Sequence, residues 1–244
     1  ILTIQSFCAA RSVEQANVGR LIEAESFEDK GGWVVDQQFM DIMGSPYLMA
    51  HGMGSPVNDA STEVAIPEAG VYQVYVRTFN WVSPWYAGEG PGEFRLSIGN
   101  KRLSARLGIC GDAWEWQPAG SIRLAAGWTT VRLHDMTGFN GRCDAIYLTR
   151  DENDLPPSDA AALAAFRQRM LGQSSQPKPA GKHDLIVVGG GLAGICTPVP
   201  ACRPGCTGRL IPDRPILGGH TRSAGSARAG GRNNIWTSPD LLHL

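Results

Sequence analysis

The sequence predicts a mainly β chain. A jelly-roll-like β-sandwich is followed by a short helix, a linker and an incomplete Rossmann-type βαβ segment. Three observations predict it. Short alternating runs of β-formers recur between residues 21 and 150, punctuated by glycine turns. An alanine-rich stretch and a Pro-containing polar stretch then break that pattern over 151–182. Finally, HDLIVVGGGLAG (183–194) runs an unbroken apolar strand into a glycine turn.

The 244 residues suffice for one large domain or two small ones. A hydrophobic content of 43% against 18% charged residues supports a packed core. The net charge of −1, with no basic stripe, argues against nucleic acid as a partner. No apolar run approaches the roughly 20 residues of a transmembrane helix. The opening ILTIQSFCAA reads as the apolar end of a secretory signal closing on Ala9 and Ala10, with a buried first strand as the alternative. Residues 1–20 are therefore expected to be a leader, and the protein to be exported to a periplasmic or extracellular compartment.

The β region opens with LIEAESF. VYQVYVRTF (71–79) alternates after the PEAG turn, and EFRLSIG (93–99) alternates and ends in a turn. SIRLAAGWTTVRLHD (121–135) gives two strands around AAG, and DAIYLTR (144–150) gives the last. The inserts 28–60 and 80–92 are expected to be loops, where binding usually sits. Cys110 and Cys143 fall in this region as a candidate bridge, with free thiols as the alternative. Cys202 and Cys206 lack the second spaced pair that a zinc site requires.

Ser158 or Asp159 can cap a helix running to about Leu171, with Gly172 as its stop. SSQPKPAGK (174–182) reads as a linker and marks the domain boundary.

The last region holds the sharpest motif. Gly189, Gly191 and Gly194 form G-x-G-x-x-G, which gives a tight turn, room for a pyrophosphate and close helix–strand packing. Asp213 lies 19 positions after Gly194, where a carboxylate can accept from a ribose hydroxyl. Together with IPDRPILGG (211–219), the motif resembles the amino-terminal signature of bacterial FAD-dependent oxidoreductases. The resemblance implies FAD held by Gly189, Gly191, Gly194 and Asp213, with Arg214, Gly218 and Gly219 in the following turn. It also implies hydride transfer to the flavin, with catalytic residues outside the matched stretch. The chain departs from that pattern. Pro198, Pro200 and Pro204 fall inside the expected crossover helix, and the second strand reads CTGRLIP. Residues 183–244 supply at most one βαβ unit, so the expectation is a truncated segment, inactive alone and with a damaged end.

The order EAESF, PEAGVYQVYVRTF, WEWQPAGSIRLAAGWTTVRLHD, DAIYLTR also resembles a carbohydrate-binding jelly-roll module. That resemblance implies a structural calcium on Glu23, Glu25 and Asp144, with solvated carboxylates as the alternative. Sugar would stack on Trp81, Trp85 and Tyr86 of the 80–92 loop, with burial in the core as the competing role. Trp114 and Trp116 alternate and are expected to share a face in the core. His51, His134 and His183 are scattered, and no nucleophile–base constellation is legible. Three readings follow: an FAD-dependent oxidoreductase fragment carrying a sandwich module, a carbohydrate-binding module with a vestigial dinucleotide-binding tail and a glycan as partner, or a structural β domain that packs on its own enzyme.

Overall fold

The structure, a computed structural model, describes residues 19–174, 179, 181–196 and 207–211. Two compact units divide them, one holding residues 19–174 and the other the residues from 179 onward.

The first unit is a β-sandwich. Its strands are β1 (Gly19–Glu23), β2 (Trp33–Asp36), β3 (Tyr47–His51), β4 (Ala60–Ile66), β5 (Gly70–Thr78), β6 (Phe94–Ile98), β7 (Lys101–Arg102), β8 (Glu115–Leu124), β9 (Gly127–Asp135) and β10 (Phe139–Thr149). One sheet runs β2-β3-β10-β5-β8, with β1 also paired to β10, and the other runs β4-β9-β6-β7. The alternation seen in the sequence sets the layers. Tyr72, Val74 and Val76 of β5 meet Phe94, Leu96 and Ile98 of β6 and Val131 and Leu133 of β9 in one core. Trp33 stands edge-on to Phe94 across that core at 5.7 Å.

The expected strands at 71–79, 93–99, 121–135 and 144–150 all form. The insert 28–60 is not a loop: it contains β2, a helical turn α1 (Met40–Met43) and β3. Helix α2 (Ala160–Met170) forms where its capping signal places it, with Asp159 Oδ1 accepting from the amides of Ala161 and Ala162. Gly172 follows in the left-handed region at φ 62°. The helix, expected together with the 174–182 linker between the two regions, belongs to the same compact unit as the sandwich. Leu163 and Phe166 pack on Leu21, Ala145 and Tyr147 on the outer face of the larger sheet. Cys110 and Cys143 are both free, the second buried in the core.

In the second unit, β11 (Leu185–Val188) pairs in parallel with β12 (Gly208–Ile211), and α3 (Leu192–Cys196) follows the glycine turn. The strand that the sequence marks as interrupted therefore forms at its Gly-Arg-Leu-Ile core. Burial on both faces is not seen, since Ile186 is 55% and Val188 79% exposed. Of the leader expected over residues 1–20, Gly19 and Arg20 instead open β1, and residues 1–18, Asp213, Arg214, Gly218, Gly219 and the three crossover prolines lie outside the described residues.

Candidate functional site

Three segments meet at one end of the sandwich. Gly52 and Gly54 amides donate to Gly138 O at 3.0 and 3.3 Å, joining the chain after β3 to the turn before β10. Asp135, buried at the end of β9, gathers the same turn. Its carboxylate accepts from Val57 N at 2.8 Å, Gly138 N at 3.0 Å and Thr137 N at 3.1 Å. Trp81 Nε1 donates to Phe139 O at 2.8 Å and brings in the 80–92 loop. The Arg142 guanidinium lies 5.7 Å from the centre of the Trp81 ring.

This loop is held in shape by its own bonds. Trp85 and Tyr86 amides both donate to Val82 O at 2.9 Å, and Gly90 N donates to Ile109 O at 2.8 Å. Arg106 ties Glu89 to Glu93 at 3.0 and 2.9 Å. A Cβ on Gly88 would sit 2.5 Å from the Tyr86 ring, so glycine there lets the ring lie against the backbone. The result is a braced loop presenting Trp85 at 80% and Tyr86 at 60% exposure. Phe139 and Met53 are exposed on the neighbouring segments. His51 Nδ1 is 2.5 Å from Asn140 Oδ1. Asn140 adopts φ 58°, where β10 shifts register against β3.

The three aromatics named from the sequence therefore divide. Trp85 and Tyr86 are outward-facing. Trp81 is a half-buried strut, packed against a cluster of Met43, Tyr47, Phe79 and Trp114. Trp114 and Trp116 do share the outer face of the larger sheet, Trp114 in this cluster and Trp116 against Tyr147 and Phe166.

Glu23, Glu25 and Asp144 also converge, but the arrangement does not fit calcium. A register shift in β10 between Cys143 and Ala145 turns Asp144 to the outer face of the sheet. There its Oδ2 accepts from Arg77 Nη1 at 2.8 Å and Arg167 Nη2 at 2.6 Å, and its Oδ1 from Ser45 Oγ at 3.1 Å. Arg167 Nε lies 3.0 Å from Glu23 Oε1. Two guanidiniums supply the positive charge that the expected cation would bring, and they take up Asp144 Oδ2 and Glu23 Oε1, while Glu23 Oε2 and Glu25 Oε2 stay buried without a hydrogen-bond partner. Among the described residues no group of three or more His, Cys, Asp or Glu is placed to hold a metal. Burial pushes the Glu23 carboxyl up to about 7, opposed by Arg167. It pushes Glu25 up to about 8, helped by the charge of Glu23.

One constellation escaped the sequence. Ser97 Oγ, His134 Nε2, His134 Nδ1 and Asp59 Oδ2 form a line across the smaller sheet, the last contact at 2.7 Å. This is the order of nucleophile, base and orienting acid. Ser97 is only 7% exposed and lies in β6, opposite Arg132 of β9 on one side and Arg102 of β7 on the other. Ser97 is thus held between two strand ladders with little access for a substrate. The line serves as a cross-strand tie. Only the pairing of β9 with β4 and β6, invisible in one dimension, brings these residues together.

In the second unit, the glycine turn has the geometry that the motif demands. Gly189 adopts φ 104°, a Cβ on Gly191 would meet open space, and a Cβ on Gly194 would sit 1.9 Å from Gly189 O. These three residues fit a close-approaching pyrophosphate.

No family model matches the chain, and no curated protein matches it. Among solved structures, the chain is similar to the GH26-CBM35 β-(1,4)-mannanase of Podospora anserina, at 20% identity and a TM-score of 0.44 over 57% of this chain. It spans only 29% of that enzyme. A family 35 carbohydrate binding module from Clostridium thermocellum aligns at 20% identity and a TM-score of 0.43, over 53% of this chain and 98% of the module. The C-terminal CBM6 of a marine laminarinase from Zobellia galactanivorans aligns at 17% identity and a TM-score of 0.39, over 54% and 98%.

Proposed function

We propose that the sandwich is a glycan-binding module whose ligand surface is the loop end bearing Trp85 and Tyr86. One observation carries this reading: two adjacent aromatic rings are held out in water by a loop that is itself fully braced. Exposed rings on a mobile loop would gain little from a ligand, because ordering the loop would consume the binding energy. Here the ordering is done in advance. A sugar ring presents an apolar face to an aromatic and hydroxyls to its rim, and His51 at the end of β3, Asn140 at the start of β10 and Glu89 in the loop are polar side chains on the segments that meet here.

The test is retention on a panel of soluble plant, fungal and bacterial polysaccharides, by affinity electrophoresis of the wild type and Trp85→Ala. The expected outcome is retardation by at least one glycan, abolished in the variant, with the melting curve unchanged. Equal retardation of the two proteins, or none by any glycan, would count against the surface.

A second reading applies to the residues from 183 onward and is favoured by the glycine turn: an FAD-binding segment of an oxidoreductase. Gly189, Gly191 and Gly194 would hold the pyrophosphate, and Asp213, Arg214, Gly218 and Gly219 are the partners that the sequence nominates. The bound flavin would supply the hydride chemistry. The protein's part at this turn is to bring backbone close to phosphate without side-chain obstruction. Flavin absorbance that co-elutes with the chain on gel filtration, and is lost in Gly194→Ala, is the expected result; a colourless protein peak would remove FAD from this chain.

A further inference from the structure

The larger sheet carries a buried charge cluster for which glycan binding has no use. Asp144 is 0% and Glu23 8% exposed, Arg77 2% and Arg167 8%. Three of these four residues belong to the sheet: Glu23 ends β1, Arg77 lies in β5 and Asp144 in β10. Arg167 comes from α2, which follows the last strand. Its side chain spans the cluster, with Nη2 on Asp144 Oδ2 at 2.6 Å, Nε 3.0 Å from Glu23 Oε1 and Nη1 on Met43 O at 2.7 Å. One guanidinium thus joins β1, β10 and the end of α1. Tying several strand ends through oxygen ligands is what a structural divalent cation does.

We propose that Arg167 is an internal substitute for a structural cation, so that α2 closes the sandwich without metal. Two further features support it. The helix is fixed in the orientation that this contact requires, because Leu163 and Phe166 fasten it to Leu21, Ala145 and Tyr147. The oxygens that Arg167 leaves over are still buried and unpartnered, namely Glu23 Oε2 and Glu25 Oε2. Withdrawal of the guanidinium would therefore expose an oxygen-rich cavity with Glu23, Glu25 and Asp144 turned toward it and Met43 O at its edge. The proposal is independent of the glycan reading, and its tests contain no sugar.

Metal dependence of the full chain decides it. The wild type should melt at the same temperature in calcium and in a chelator, and should show no stoichiometric terbium luminescence sensitised by its tryptophans. Arg167→Ala should melt roughly 10 °C lower in chelator, the loss expected when a buried pair is broken in a domain of this size. Calcium should restore part of that loss, and terbium should now bind one to one. Arg167→Lys, which keeps the charge, should stay metal-independent. If Arg167→Ala fails to fold, the wild-type measurement still decides: one calcium or terbium bound per chain, or a melting point lowered by the chelator, overturns the proposal. A folded Arg167→Ala that binds no cation overturns it too.

Discussion

Two aspartates each join neighbouring backbone segments, and the contrast between them separates the two units. Asp144 in the sandwich is wholly buried and receives two guanidiniums and a hydroxyl. Asp184, at the start of the second unit, accepts from Thr207 N and Oγ1 at 2.8 Å each, and both bonds are open to solvent. Those two bonds hold the Asp184 carboxyl below its ordinary range. The first aspartate is built into a packed layer, while water competes for every bond of the second. A sharp motif and a robust fold are therefore different properties, since the second unit carries the chain's most specific sequence signature on its more exposed strands.

The most severe test of that contrast is Asp144→Asn. It keeps the shape, leaves Arg77 and Arg167 without a counter-charge and should cost about 3–5 kcal/mol in urea unfolding. Asp184→Asn should leave the sandwich's transition where it was. Comparable losses from both variants would mean that the two units unfold as one.

Next in size is a pair of truncations. Phe166→Ala opens the seam between α2 and the sheet, where the ring meets Tyr147 edge-on at 5.0 Å, and should cost about 3 kcal/mol. Val188→Ala, on a side chain that is 79% exposed, should stay within about 0.5 kcal/mol. A small effect of Phe166→Ala would mean that α2 adds little to the stability of the sandwich.

The docking of α2 shows what one dimension hides. The capping signal at Asp159 and the stop at Gly172 are local, and both were legible. The partners of Phe166 come from β1 and β10, far apart in the chain, and no local pattern announces them. Likewise β5, β6, β8 and β9 alternate clearly because one face of each is core. By contrast, β2 and β3 sit among Gly, Met and Gln with exposed Val34 and Val35, so their pairing is decided by β10 and not by their own residues. Of the candidate site, the aromatic loop was legible from its composition. Its bracing by Arg106 and Ile109 was not, because those residues follow β7 and no local pattern ties them to the loop. The charge cluster was half legible for a similar reason: the three carboxylates were visible, and the two arginines beside them were not.

Acidity gives a smaller and graded effect. Glu23 and Glu25 titrate near 7 and 8 in the folded protein against a reference of 4.5, with burial as the leading cause in both. The native state therefore holds protons that the unfolded chain has released, and the slope of stability with pH is negative between those limits. Their contribution is full below about pH 4.5 and drains away as pH rises through 7 and 8. The sandwich's melting temperature should fall from about pH 5.5 to about pH 8.5, and Glu25→Gln should flatten that fall. A melting temperature that rises over the interval would show that the carboxyls ionise below the range their burial implies. The second unit should show no matching slope, since Asp184 is already ionised throughout.

The smallest effect tests how the platform is made. Gly88→Ala puts a methyl where the Tyr86 ring now lies, at 2.5 Å. The ring is the exposed end of a flexible side chain, so it can swing away, and stability should change by no more than about 0.5 kcal/mol. Its position over the loop would be lost all the same. If sugar stacks on Tyr86 as well as Trp85, Gly88→Ala should weaken glycan retention several-fold, and to the same extent as Tyr86→Ala, because in either case the second ring is missing from the surface. Wild-type retention in Gly88→Ala would confine the binding surface to Trp85, and the tyrosine's exposure would then be a consequence of loop packing alone.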